Sequence, residues 1–223
     1  MTRTLGIAVI GQAPRDDIVA LFAAQAPAGT KVILRGCLDG MSDAQIAAIA
    51  PKDGGDTLYT RLPGDRDVKI SKQAVVTRAP ATLAKLREDG ADALVFNCTG
   101  AFPSMPGDAG VLFPSRVLAG LSAGLLPTGR LGLLVPLPEQ ATKLTEKWRR
   151  PGIEVVAEAL TPSAGDAEVE AAAARLRAQA PDLIAMDCMS YTPATKDIVK
   201  RVAGVPTLLG VTATARVLRE LLE

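Results

Sequence analysis

The 223-residue chain contains no histidine and only seven aromatic residues. Without histidine there is no Ser–His–Asp triad, no Cys–His pair and no His-ligated metal site. Any proton transfer by a side chain must therefore use Cys, Asp, Glu, Lys or Tyr. The charge is balanced, with 25 Lys and Arg against 24 Asp and Glu. Because a basic stripe and aromatic stacking platforms are both missing, we expect no nucleic-acid partner.

Long apolar runs and cofactor motifs are also missing. No run approaches the roughly 18 residues that a membrane-spanning helix needs, and the run Leu5–Ile10 is too short for a signal peptide. We therefore expect a soluble, cytoplasmic protein with no membrane partner. The three cysteines do not make a disulfide framework, and neither a CxxC nor a GxGxxG motif occurs. The sequence thus predicts no metal and no other cofactor.

Strand-like apolar runs alternate with helical patterns along the whole chain, which favours an α/β fold with mainly parallel sheets covered on both faces. Two segments that flank the turn PGDR (63–66) interrupt the alternation, and they predict a β-hairpin over 57–71. Ser42 precedes a short helical segment and is expected to be its N-cap. The last helix, predicted over 212–222, carries the apolar stripe Val211, Ala215, Leu218 and Leu222 and should pack on the N-terminal half.

The chain also repeats itself. The segment DALVFNCTGAFP (92–103) matches DLIAMDCMSYTP (182–193) as Asp, five residues, Cys, four residues, Pro. The segment LGLLVPLPEQ (131–140) echoes LGIAVIGQAP (5–14). These echoes predict two similar α/β domains, the first over 1–127 and about 206–223 with the hairpin inserted, and the second over 128–205.

Cys98 and Cys188 are the candidate catalytic residues, because each ends a strand at the same point of the repeat. Ligands of open α/β sheets sit at the carboxyl ends of strands, so we expect a site in a cleft between the domains with one thiol on each wall. Sulfurs that bracket one planar carbon should be on the order of 7–8 Å apart. Asn97 and Asp187 precede the cysteines and should point away from them if the strand pleat continues.

Other side chains follow the same strand ends. Arg15 could bind a substrate carboxylate through two hydrogen bonds. Asp16 could orient a catalytic thiol, or it could simply stabilise the first turn of a helix. Backbone N–H groups after each cysteine would favour the thiolate. Cys37 has no partner in the repeat, so packing is the expected role for it. The remaining candidates for substrate binding or support are Gln12, Thr99, Gly100, Ser190, Tyr191, Pro136 and Glu139.

The motifs GQAPRDD (11–17), LDGMS (38–42), DTLYTRL (56–62), FNCTGAFPS (96–104) and MDCMSY (186–191) resemble the AroM protein family. The wider pattern is similar to the aspartate/glutamate racemase superfamily. That resemblance implies two pseudo-symmetric α/β domains and a two-cysteine reaction without pyridoxal phosphate or metal. It matches Cys98 and Cys188 to the two catalytic cysteines, and Thr99 to the residue that contacts the substrate carboxylate.

Three functions follow as hypotheses. The first is a cofactor-independent racemase, epimerase or isomerase that acts on the carbon next to the carboxylate of a small amino acid or related acid. The second is a lyase or decarboxylase that needs one thiol as proton donor. The third is a non-catalytic protein that binds or senses a small acid. The sequence leaves the identity of the acid open and is compatible with a homo-oligomer.

Overall fold

The computed structural model describes residues 3–223. The chain forms two compact units. The first runs to Pro114 and takes in Thr214–Glu223, and the second is Ser115–Ala213. The predicted boundaries at 127/128 and 205/206 thus differ from those of the structure. Leu118 and Leu126 pack into the core of the second unit, and that packing assigns the helix before 127 to it.

The first unit is built on a parallel sheet of four strands. In spatial order they are β2 (Lys31–Gly36), β1 (Thr4–Val9), β5 (Ala93–Phe96) and β6 (Val111–Leu112). The central strand β1 is buried from Leu5 to Val9. A strand covered on both faces needs apolar residues at every position, which explains the continuous run in the sequence.

The predicted hairpin is confirmed. Strands β3 (Thr57–Leu62) and β4 (Arg66–Ser71) pair antiparallel and form a separate two-stranded sheet. Gly64 and Asp65 in the turn both have positive φ, a conformation that glycine adopts freely and aspartate tolerates better than most residues.

Three helices belong to the first unit: α1 (Asp16–Ala23), α2 (Asp43–Ala48) and α3 (Lys72–Glu88). Ser42 caps α2 as predicted. Its hydroxyl accepts from the Gln45 N–H, and the Gln45 side chain accepts from the Ser42 N–H at 2.8 Å. Leu83 and Leu86 of α3 share a buried cluster with Leu94 and Phe96 of β5.

The second unit has its own parallel sheet, in the order β8 (Ile153–Ala159), β7 (Gly129–Val135), β9 (Leu183–Met186) and β10 (Thr207–Leu209). A 3-10 turn, Pro138–Gln140, leads from β7 into the next helix. The remaining helices are α4 (Pro114–Leu125), α5 (Ala141–Trp148), α6 (Asp166–Ala178), α7 (Pro193–Ala203) and α8 (Gly210–Leu222). Residues 214–223 of α8 group with the first unit, whereas the start of the helix, including Val211 of the apolar stripe, groups with the second.

The two sheets repeat the same strand order and the same register. Residues 5–8 of β1 pair in order with 93–96 of β5, and residues 131–134 of β7 pair in order with 183–186 of β9. Residues 5–14 are echoed 126 positions later and residues 92–103 are echoed 90 positions later. Adding these offsets to the β1–β5 pairs gives the β7–β9 pairs. The structure therefore confirms the α/β fold with two similar halves. No helix within residues 3–223 has the length and apolarity that crossing a membrane requires.

Candidate active site

The loop of Cys98 and the loop of Gln12 are neighbours in the first unit, because β5 and β1 are adjacent parallel strands that both end there. In the second unit Cys188 follows β9 and Pro136 follows β7, and these strands are adjacent too. Each unit thus places a thiol at the carboxyl edge of its sheet, where α/β proteins bind ligands.

Cys98 is buried, and its Sγ accepts a hydrogen bond from the backbone N–H of Gly100 at 3.4 Å. An N–H donor at a sulfur favours the thiolate, so the predicted role of this loop is supported for Gly100. The Cys98 N–H donates to the Phe96 carbonyl at 2.7 Å, which makes a tight turn at the strand end. Phe102 packs edge-on against Phe96, with ring centroids 4.9 Å apart, and anchors the loop.

Gly100 lies within this close packing. A Cβ at position 100 would lie 3.0 Å from the Phe102 ring and 3.3 Å from Leu58. A side chain at this position would require the Phe102 ring and the Leu58 side chain to shift by a few tenths of an ångström. Thr99, the predicted carboxylate-binding residue, is buried beside it.

The residues predicted in the first loop have partners within their own unit. The Gln12 amide donates to the carbonyls of Leu38 and Met41, at 3.0 and 2.8 Å, and ties this loop to the segment after β2. Asp16 is exposed in the first turn of α1, the position that the helix dipole favours for an acid.

Arg15 is buried and holds a carboxylate in two-point geometry, but that carboxylate belongs to Asp17. Its Nε and Nη2 donate to the two oxygens of Asp17 at 2.8 and 2.6 Å, and its Nη1 donates to the Arg61 carbonyl at 2.8 Å. Burial alone would raise the pKa of Asp17, but the hydrogen bonds and charge of Arg15 lower it. Arg15 therefore links α1 to the hairpin.

In the second unit, Cys188 and Tyr191 are buried and Ser190 is half-buried. The Tyr191 hydroxyl donates to the Leu160 carbonyl at 2.5 Å, which joins the loop after β9 to the end of β8. Pro136 is buried, whereas Glu139 is exposed in the 3-10 turn.

The residues before the two cysteines, Asn97 and Asp187, are both buried. Cys98 shares a buried hydrophobic cluster with Leu94 and Phe96 of β5. Asp187 is completely covered, and its Oδ2 accepts from Trp148 Nε1 at 2.7 Å and from Lys147 Nζ at 2.9 Å.

Sequence reasoning missed Lys147 and Trp148 as partners of Asp187. The repeat gave no signal for them, because the 126-residue offset makes them equivalent to the apolar Leu21 and Phe22 of α1.

Cys37 contrasts with the two candidates. It is buried in the core of the first unit, and burial raises the pKa of its thiol to about 12, although a hydrogen bond with Thr82 opposes the shift. Such a thiol stays protonated and inert, which agrees with the packing role that the sequence predicted. None of the three cysteines is in a disulfide. Within residues 3–223, no group of three or more Cys, Asp or Glu side chains is arranged to hold a metal ion.

The model of the family described as AroM protein matches residues 5–222. The chain belongs to the AroM family. The comparison with curated proteins gave no match.

Solved structures with the same fold include three members of the aspartate/glutamate racemase superfamily. Maleate isomerase Iso from Pseudomonas putida S16 aligns with a TM-score of 0.65 and 13% identity, over 100% of this chain and 93% of that one. Unliganded arylmalonate decarboxylase aligns with a TM-score of 0.61 and 16% identity, over 100% and 93%. Glutamate racemase from Francisella tularensis subsp. tularensis SCHU S4, in complex with D-glutamate, aligns with a TM-score of 0.59 and 13% identity, over 99% and 81%. This AroM-family protein thus has the α/β fold of that superfamily.

Proposed function

We propose that this AroM-family protein is a cofactor-independent racemase, epimerase or isomerase that acts on the carbon next to the carboxylate of a small amino acid or related acid. The observation that carries the proposal is the equivalence of Cys98 and Cys188. Each thiol lies two residues beyond the equivalent strand of its own four-stranded sheet, and these strands pair with the central strand in the same register. A fold that needed the thiols for packing alone would have no reason to keep one in each half at that point.

The chemistry follows from the thiol pair. One cysteine, as thiolate, takes the proton from the α-carbon, so the C–H bond breaks and an S–H bond forms. The electron pair moves into the carboxylate, which becomes an enediolate. The thiol of the other cysteine then gives its proton to the other face of the carbon, and the configuration is inverted. Abstraction next to a carboxylate is difficult, so fixed N–H donors such as those after Cys98 would have to stabilise the enediolate oxygens.

Thr99, Ser190 and Gly100 remain our proposed substrate contacts, with Pro136 and Glu139 in support. The names of the similar structures describe enzymes of carboxylic acids, namely a glutamate racemase, a maleate isomerase and an arylmalonate decarboxylase. This range supports the proposed type of reaction. A reducing compartment such as the cytoplasm would keep both thiols reduced.

A decarboxylase is the second candidate, and one observation favours it. The two thiols have different neighbours, since a buried amide, Asn97, precedes one and a buried carboxylate, Asp187, precedes the other. In this reaction the C–CO₂ bond breaks and a single thiol protonates the resulting carbanion.

The deciding experiment is incubation with a panel of amino, hydroxy and malonic acids in D₂O, followed by proton NMR and chiral chromatography. Exchange of one α-proton together with inversion would establish racemisation. Loss of CO₂ with uptake of one deuteron would instead establish the decarboxylase. Saturable binding of an acid without exchange or product would overturn both. The Cys98→Ser/Cys188→Ser double variant serves as the background control.

A further inference from the structure

The motif DTLYTRL (56–62) contains strand β3 of the hairpin, which packs on both loops of the first unit that belong to the candidate site. Leu58 covers the loop after β5, since its side chain lies 3.3 Å from where a Cβ at Gly100 would be. Thr60 covers the loop after β1, since its Oγ1 lies 2.8 Å from where a Cβ at Gly11 would be. The hairpin is therefore a neighbour of the site in this unit.

One strand reaches both loops because β1 and β5 are adjacent in the sheet. Neighbouring strands are about 4.8 Å apart, and two residues of an extended strand span about 7 Å. The step from Leu58 to Thr60 is thus long enough to cover the ends of both strands. Arg15 ties β3 down at the same place, because its Nη1 donates to the Arg61 carbonyl at 2.8 Å. Strand β3 therefore passes over the carboxyl edge of the sheet, where α/β proteins bind ligands.

The hydroxyl of Thr60 stands out among the polar groups of this strand. Thr60 is 5% exposed, and its hydroxyl forms no hydrogen bond with any of residues 3–223. Thr57 is buried to a similar degree, but its Oγ1 donates to the Asp53 carbonyl at 2.8 Å. Burying a hydroxyl without a partner costs free energy, so such a group in a native structure calls for an explanation. A ligand that bonds to it is one.

We propose that Thr60 is a substrate-binding residue of the candidate active site, and that its hydroxyl donates a hydrogen bond to an oxygen of the bound acid. Leu58 packs beside it, on the loop that carries Gly100. This inference rests on the proposed function, because it uses the same acid and the same loops. It gives the hairpin a part in selecting the substrate.

The surroundings of Thr60 favour a carboxylate over an ammonium group as its partner. A hydroxyl can bond to either, but the two loops below β3, residues 10–14 and 97–103, contain no Asp or Glu that would hold a cation. Asp39 in the adjoining loop already accepts from the N–H groups of Ala13 and Gly36, both at 2.8 Å. A carboxylate also accepts stronger hydrogen bonds than a neutral oxygen.

The first test asks whether the hydroxyl of Thr60 has a partner within the protein. Thr60→Val removes the hydroxyl and nearly keeps the shape of the side chain, so the urea midpoint should equal or exceed that of the original protein. Thr57→Val, the matched variant, removes a bonded hydroxyl and should lower the midpoint. A fall for Thr60→Val as large as that for Thr57→Val, or failure of Thr60→Val to fold, would overturn the proposal.

The second test measures binding beside the first thiol. Malonate, lactate and glutamate are added in turn, and alkylation of Cys98 by iodoacetamide is followed by mass spectrometry of its peptide. A bound acid should slow this alkylation. Thr60→Val should raise the half-protecting concentration about tenfold, as expected for one hydrogen bond to a charged group. Thr60→Ser, which keeps the hydroxyl, and Thr57→Val should both stay close to the original protein.

Equal half-protecting concentrations for Thr60→Val and the original protein would show that the hydroxyl takes no part in binding, and absence of protection by all three acids would also refute the proposal. Alkylation does not require turnover. Protection that depends on Thr60, without proton exchange in D₂O, would leave this inference standing while the proposed function fails. Exchange as fast in Thr60→Val as in the original protein would do the reverse.

Discussion

The carboxylate of Asp182 accepts a hydrogen bond from the backbone N–H of Arg130 at 2.8 Å, and the Asp182 N–H donates back to the Arg130 carbonyl at 2.8 Å. Asp92 and Thr4 make the same pair of bonds, at 2.7 and 2.8 Å. The first residue of each repeated segment thus makes two hydrogen bonds to the backbone of one residue near the beginning of the central strand. Part of the repeat is structural, although its cysteines are candidates for chemistry.

We expect Asp92→Ala and Asp182→Ala each to lower the free energy of unfolding by about 1 kcal/mol, since each removes a charge-assisted hydrogen bond near the surface. Urea unfolding followed by circular dichroism measures the loss. Asp197→Ala, in an exposed part of α7, is the control and should cost nothing. If the aspartates were catalytic instead, turnover would collapse while stability stayed unchanged.

The thiols themselves give the second prediction. Cys98→Ser and Cys188→Ser should each abolish racemisation, because a hydroxyl cannot supply the base at neutral pH. The double variant should be no worse than either single variant, since the two groups act as one unit. Each single variant should still exchange the α-proton of one enantiomer in D₂O, and the two should prefer opposite enantiomers. Cys37→Ser should keep full activity, and racemisation by either active-site variant would refute the mechanism.

The buried thiol of Cys37 predicts a loss of stability in alkaline solution. Its pKa is about 12 in the folded protein, against an ordinary value of 9.0. The folded state therefore holds this proton more tightly, and the resulting stabilisation is complete below pH 9 and is lost progressively towards pH 12. In that window the free energy of unfolding should fall more steeply for the original protein than for Cys37→Ala, by about 1 kcal/mol per pH unit. Parallel curves for the two proteins would contradict the assigned burial.

Arg15 can be tested for two roles at once. Arg15→Lys loses the two-point contact with Asp17 and the bond to the Arg61 carbonyl, so we expect a loss of about 1–2 kcal/mol in unfolding free energy. Asp17→Asn, the matched variant, removes only the charge of the partner. If Arg15 also binds a substrate carboxylate, the KM of Arg15→Lys should be well above the KM of Asp17→Asn. Equal KM values for both variants would assign Arg15 to structure alone.

Much of the fold could be predicted from the sequence because its signals are local. The continuous apolar runs of β1 and β7, the PGDR turn and the capping box at Ser42 each depend on residues close together in the chain. The two echoes predicted two similar halves, and the structure shows the same register in both sheets. The position of both thiols just after strands followed from the same pattern.

The partners of the site residues could not be predicted in the same way. Asp187 bonds to Lys147 and Trp148, about forty positions earlier, and Gln12 bonds to carbonyls 26 and 29 positions later. Arg15 suits a carboxylate by its chemistry, but only tertiary packing decides that Asp17 is the one it holds. Side-chain chemistry limits the choice of partners, and the fold selects among them.

The assignment of Thr214–Glu223 to the first unit has a consequence for biosynthesis. The ribosome makes all of Ser115–Ala213 before it reaches the segment that completes the first unit. The second sheet can therefore assemble during translation, whereas the first unit is complete only when Thr214–Glu223 has been made. Chaperone binding to nascent chains should accordingly persist on the half that was synthesised first.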